Sequence, residues 1–314
     1  MIFIQAGIQN SFAADLWIVS IRHTDLPDAE SPLEIDFTQL DFKQWQENKG
    51  QNSTAASEWK DSAAEEFAAT HKPEKPLIVI VHGNWMTYSE IFPYASRFKQ
   101  LAGSYSENYS GNYGKNYDDC RLVLLSWNSD RTNLPIRKDT LLKGRRADKQ
   151  ARILAACLLH LPENSKVSLV GFSFGAKLIC QTLQQLATVE ETTGGKVGKP
   201  KLRLRAVLLA AAMEQSSLLP DRRYGNALDI AESMLIHINS ADETLCWYPL
   251  LSGIGGPKAL GKEGAFTGGI STENLEKITT KNVAGLIGSG HGFTLSLRAL
   301  LTVQGDFPQY CLFE

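Results

Sequence analysis

The sequence predicts an α/β protein, a mostly parallel central sheet flanked by helices. Three observations carry that expectation. Residues 77–81, Leu-Ile-Val-Ile-Val, form a continuous apolar run, the pattern of a central strand covered on both faces. Further short apolar runs recur at 122–127, 166–170, 202–213 and 233–239. Between several of these runs, apolar residues return at helical spacing, as at Leu178, Ile179, Leu183 and Leu186.

Composition narrows the field. A chain of 314 residues with 43% hydrophobic content can bury a large core, and no clean linker or internal repeat divides it, so one domain over 1–314 is expected. A net charge of -2 gives no reason to expect a nucleic-acid partner. No apolar run reaches membrane-spanning length, so no integral membrane segment is expected. Residues 1–5 lack the positive start of a signal peptide. The five cysteines are scattered without a CxxC, which fits reduced core residues and a cytoplasmic protein. Composition does not specify an oligomeric state.

In chain order, residues 1–8 and 15–22 read as strands, the second rich in β-formers around Leu16-Trp17-Ile18-Val19. Residues 24–76 are a polar excursion. Within it, 39–49 and 57–69 read as amphipathic helices carrying Leu40, Phe42, Trp45 and Trp59, Phe67. The excursion is either a surface insertion or a flap over a site, and the first is favoured. After the strand at 77–81 come His82-Gly83-Asn84-Trp85 and a helix over 88–101, with Pro93 kinking it or delaying its start. Residues 104–119, rich in Tyr, Asn, Gly and Ser, read as an exposed loop. A helix is predicted over 145–161, ending at Pro162. Its basic start reads as a solvated face. A Gly-rich loop covers 252–269, a last short strand 283–287, and a closing helix 293–303.

The chemistry gathers on Val170-Gly171-Phe172-Ser173-Phe174-Gly175-Ala176. This is Gly-x-Ser-x-Gly between a predicted strand and a predicted helix, the context of a nucleophile elbow. Such a turn strains the serine backbone, lifts its hydroxyl above the sheet and sets it at a helix N-terminus. Side chains in place of the two glycines would collide with neighbouring backbone.

A serine hydroxyl needs a base within hydrogen-bond reach. Of six histidines, His291 lies in a glycine-flanked loop beyond a late strand, where parallel sheets place ligands. It is the expected base, with His82 second. The base needs an orienting carboxylate. Asp242, just past the 233–239 strand, is the expected acid, with Glu214 second. Asp242 is also placed to cap a helix starting near Glu243. Oxyanion donors are expected from the backbone of Phe174 and of Asn84 or Trp85, where Gly83 lets the loop pass close to the serine. No cofactor is expected. Gly288-x-Gly290 is followed by Phe293 where a dinucleotide fingerprint needs its third glycine, and no histidines share a metal-ligand spacing.

Strand-His-Gly, Gly-x-Ser-x-Gly, Asp and His, in that order from about residue 77 to the C-terminus, resemble the α/β-hydrolase superfamily. Ser126-Trp127 ending a strand, together with the early strand at 15–22, is similar to a group of bacterial α/β-hydrolases without assigned substrates. Phe172 and Phe174 stand where His and Met or Gln often flank the serine. The resemblance implies Ser173 as nucleophile, Asp242 as acid and His291 as base, acting on a small-molecule or lipid-like acyl substrate. His-Gly-Asn also resembles a haloalkane dehalogenase loop. Those enzymes use an aspartate nucleophile, and Ser173 favours ester chemistry instead. Acyl transfer, thioester or peptide cleavage, and a non-catalytic binding role remain alternatives. Residues 213–233 are too few for a full cap domain, so the site is expected to be open or covered by the 24–76 excursion.

Overall fold

The computed structural model describes residues 15–24, 33, 35–46, 58–109, 120–193, 201–303 and 305–313. The expected strand at 1–8 lies outside them. Among the described residues nine strands form one sheet: β1 Asp15–Ser20, β2 Asp41–Gln46, β3 Glu58–Ser62, β4 Leu77–Val81, β5 Arg121–Ser126, β6 Lys166–Phe172, β7 Arg203–Leu209, β8 Ser233–Ile238 and β9 Ile278–Asn282. Their order is β3-β2-β1-β5-β4-β6-β7-β8-β9. Pairings from β1 through β9 by way of β5 and β4 are parallel, and only β1–β2 and β2–β3 are antiparallel.

The helices are α1 Ala64–Thr70, α2 Tyr88–Tyr109, α3 Ile136–Leu159, α4 Phe174–Thr193, α5 Ala227–Ile230, α6 Glu243–Cys246, α7 Leu260–Glu263, α8 Thr272–Glu276, α9 Ala284–Ile287 and α10 Phe293–Thr302. Every residue of β4 and β5 is buried, so the middle of the sheet is covered on both faces. The helices pack in pairs, α3 on α4 and α2 on α10. Leu178, Ile179, Leu183 and Leu186 of α4 are at most 3% exposed, the single apolar face that their spacing implies. No helix among the described residues is long and apolar enough to cross a membrane.

Several expected elements differ. Of the helix expected at 39–49, residues 41–46 are instead strand β2, after a short 3-10 turn at Phe37–Gln39, and 47–49 lie outside the described residues. Of the helix expected at 57–69, the described residues 58–69 divide into strand β3 and helix α1. Aromatic residues spaced to suit a helix instead meet across two strands, where the Trp45 and Trp59 rings lie 5.3 Å apart edge to face. α2 continues to Tyr109 with Pro93 inside it, so the first part of the expected 104–119 loop is helical. The remainder lies outside the described residues. α3 begins nine residues before its predicted start, behind Pro135, which needs no amide partner there. The last strand is 278–282 rather than 283–287, which holds α9. Ile-Thr-Thr-Lys-Asn is β-branched but polar, as suits an edge strand with one solvated side. The cysteines are free, but Cys246 is exposed and Cys157 half-buried, so not all five are core residues.

Candidate active site

β6 ends at Phe172 and α4 starts at Phe174, leaving Ser173 alone in the turn. Its φ is +55°, a left-handed conformation that L-residues adopt at a cost of order 1–3 kcal/mol. The surroundings hold it there. The Ser173 amide donates to the Leu209 carbonyl at 2.9 Å, and its own carbonyl accepts from the amides of Ala176 and Ala212, both at 3.2 Å. The turn tolerates no bulk on either side. A Cβ at Gly175 would stand 2.2 Å from the Val81 carbonyl oxygen, and one at Gly171 would stand 2.6 Å from the Ala176 backbone.

Ser173, Asp242 and His291 come together. The Ser173 hydroxyl lies 3.0 Å from His291 Nε2, and His291 Nδ1 lies 2.6 Å from Asp242 Oδ2. A carboxylate at Nδ1 fixes the proton on that nitrogen and leaves Nε2 to accept from the hydroxyl. Asp242 is fully buried, and its second oxygen caps α6 by accepting from the Leu245 amide at 2.8 Å. One carboxylate thus touches both the imidazole and the start of α6. The Phe172 ring sits 4.9 Å from the imidazole and walls one side of it.

The second-choice residues stand elsewhere. His82 is fully buried, donates from Nδ1 to the Gly83 carbonyl and accepts at Nε2 from the Trp127 amide at 3.2 Å. Burial pushes its imidazole down to about 3, so it is neutral and tied into the sheet. Glu214 is exposed and bridges to Ala259 through its backbone.

The loop after β4 approaches the serine closely: a Cβ on Gly83 would stand 3.1 Å from Ser173 Cβ. Trp85 is not an oxyanion donor, because its amide already donates to the Ser129 carbonyl at 2.9 Å. The Asn84 amide is left, with Phe174 at the first position of α4, where amides lie outside the helix's own hydrogen bonds. Trp85, at φ +59°, instead turns its indole into the wall of the site.

Four polar residues that sequence patterns did not single out hold this arrangement. Ser129 grips the Trp85–Met86 backbone through its carbonyl and its hydroxyl. Arg22, at the end of β1, donates to Met86 O and to Ser126 Oγ, both at 2.6 Å, and pairs with Asp130. Asp139 is buried on α3 and accepts from the Trp85 indole, from Thr132 and from Lys143 Nζ, the last at 2.8 Å. Burial opposes the Asp139 charge, but these donors outweigh it and hold the carboxyl below its ordinary range. Asn239, just past β8, donates from Nδ2 to the carbonyls of Gly288 at 2.9 Å and Gly290 at 3.1 Å, fixing the loop that carries His291. Each partner is distant in the chain or hidden among ordinary polar residues. The only local signals were a polar residue ending a strand at 239 and acid and base four apart at 139 and 143.

The serine opens into a pocket of about 590 Å³. Trp85, Ile136, Phe172, Trp247, Tyr248 and Leu251 form its apolar walls; among the described residues Glu243 also lines it, and no lysine or arginine does. None of its lining residues comes from 24–76, so the described part of that excursion is not a flap over the serine. Among the described residues no group of three or more metal-ligating side chains gathers. No family model matches the chain, and no curated protein matches it.

Proposed function

We propose that this chain is a serine hydrolase of the α/β-hydrolase fold. More particularly, we read it as a carboxylic ester hydrolase working through an acyl-enzyme. The observation that carries the reading is the continuous Ser173–His291–Asp242 chain, with contacts of 3.0 and 2.6 Å, at the end of a parallel sheet. As Ser173 Oγ bonds to the substrate carbonyl carbon, its proton passes to His291 Nε2. Asp242 stabilises the resulting imidazolium. The negative charge that develops on the carbonyl oxygen is met by the amides of Asn84 and Phe174. The carbon–oxygen bond to the leaving alcohol then breaks, and His291 returns the proton to that alcohol. Water, deprotonated by the same imidazole, releases the acid and restores the serine.

The pocket supports an uncharged, apolar acyl group. Its walls are mainly aromatic and aliphatic, and the described lining residues include the acid Glu243 but no lysine or arginine to meet an anionic substrate. The test is labelling by a fluorophosphonate probe. Labelling at Ser173 is expected, with loss in Ser173→Ala. A folded protein that resists the probe would overturn the reading.

A further inference from the structure

We propose that the face bearing the triad pocket docks on an anionic lipid surface, and that the substrate is an ester held in that surface. The proposal deepens the hydrolase reading and its substrate half rests on it. Large apolar side chains are exposed around this opening. Trp85, Ile136 and Trp247 line the pocket, yet are 41%, 60% and 69% exposed. Leu134 is two residues before Ile136, and Leu250 lies in the turn that carries Trp247; both are 45% exposed. Arg137 joins these two stretches by donating to the Leu250 and Leu251 carbonyls at 3.2 and 2.9 Å. On the His291 side stands Leu295, 43% exposed, within 3.5 Å of where Cβ atoms on Gly290 and Gly292 would be. Isolated exposed apolar residues are ordinary, but a rim of them around one opening marks an interaction site.

The charges beside the rim select the partner. Arg131, Arg137 and Lys138 are all exposed, and residues 131–138 contain no acid, in a chain whose net charge is -2. The flanking acids Asp130 and Asp139 are paired with Arg22 and Lys143, and the exposed Glu243, which also lines the pocket, sets one acid against these three cations. The Arg131 guanidinium lies 5.2 Å from the Trp85 ring centre. Indole rings with cationic neighbours suit the boundary between acyl chains and anionic headgroups. A rigid protein seated on this rim would plug the serine pocket. A fluid leaflet covers the rim and can still deliver an ester through it.

The experiment uses the full chain carrying Ser173→Ala, so that no turnover alters the lipid. Flotation with vesicles of phosphatidylcholine containing phosphatidylglycerol should recover the protein. Recovery should fall when salt is raised or the anionic lipid is omitted. Adding Leu134→Ser and Leu250→Ser, both outside the pocket wall, should weaken binding about tenfold or more. Thermal unfolding of the variant checks that it remains folded. The inference is overturned if the parent does not float, if the paired substitutions leave flotation unchanged, or if they instead dissolve a dimer of a parent that ignores vesicles. Probe labelling at Ser173 of the unsubstituted chain separates the two readings. Labelling without flotation removes the docking surface and keeps the hydrolase. Flotation without labelling keeps the docking surface and removes the hydrolase.

Discussion

Two pockets lined by the described residues differ in kind. The triad pocket, about 590 Å³, brings a hydroxyl, an imidazole and a buried carboxylate to one place. The second, about 400 Å³, lies between β1, β4 and β5 and the last turns of α3, with Phe37, Phe42 and α1 from the 24–76 excursion closing it. Its wall is almost wholly apolar. Cys157, the thiol lining it, is pushed up to about 12 by burial, so it stays protonated and unreactive. The two share no lining residue. Apolar volume alone therefore does not mark a site. What separates the two is whether groups of complementary acidity are held within hydrogen-bond reach of one another.

The largest expected effect tests that convergence. Asp242→Asn would present an amide to His291 Nδ1 and favour the wrong tautomer. Ester turnover should fall by about 10⁴-fold, the scale seen when a triad acid is replaced this way. A fall of less than tenfold in kcat/KM would detach Asp242 from the chemistry. Next in size is the support beneath the pocket wall. Asp139→Ala leaves Lys143 charged, buried and unpaired, at an expected cost of about 3–5 kcal/mol. Urea denaturation reads that loss, and Lys143→Met added to Asp139→Ala should recover much of it.

A smaller effect follows pH. His82 is pushed down to about 3 by burial, and His71 to about 4 by burial and the nearby Arg121 charge. Both imidazoles have an ordinary value of 6.5. Below that pH the unfolded chain binds protons that the folded chain refuses, so stability is full above about 6.5 and declines as pH falls towards the folded values. The urea midpoint should therefore drop between pH 7 and pH 5, where ordinary carboxylates remain ionised. A flat midpoint would contradict the burial of these rings. The smallest effect belongs to the second pocket. Cys157→Met adds bulk to its wall and should change stability by under about 1.5 kcal/mol. Ester turnover should not change, and a changed rate would join the two pockets.

How much of this was legible follows from how far each signal travels along the chain. β4, β5, β6 and β8 are buried on both faces and announce themselves as continuous apolar runs. Ser173 sits between glycines in a strand-to-helix turn and Asp242 follows β8, whereas the strand expected just before His291 at 283–287 is α9, so for His291 only the glycine-flanked loop was a sound local signal. β2 and β3 were not legible. Phe42, Trp45 and Trp59 face other strands and rings, and their spacing also suits a helix face. β9 hides because an edge strand needs little apolar content. Arg22, Ser129, Asp139 and Asn239 hide for a different reason: their role is defined by partners that only the fold brings near.

Asn239 carries one more consequence. It leaves the strand that leads to Asp242 and at the same time clasps the glycine loop bearing His291. The Glu243 amide adds a strap to Ser289 at 3.2 Å. The segments that carry Asp242 and His291 are therefore tied to one another by three hydrogen bonds besides the 2.6 Å contact of the two side chains. The contact that joins this pair to the serine turn is the 3.0 Å one between His291 Nε2 and Ser173 Oγ.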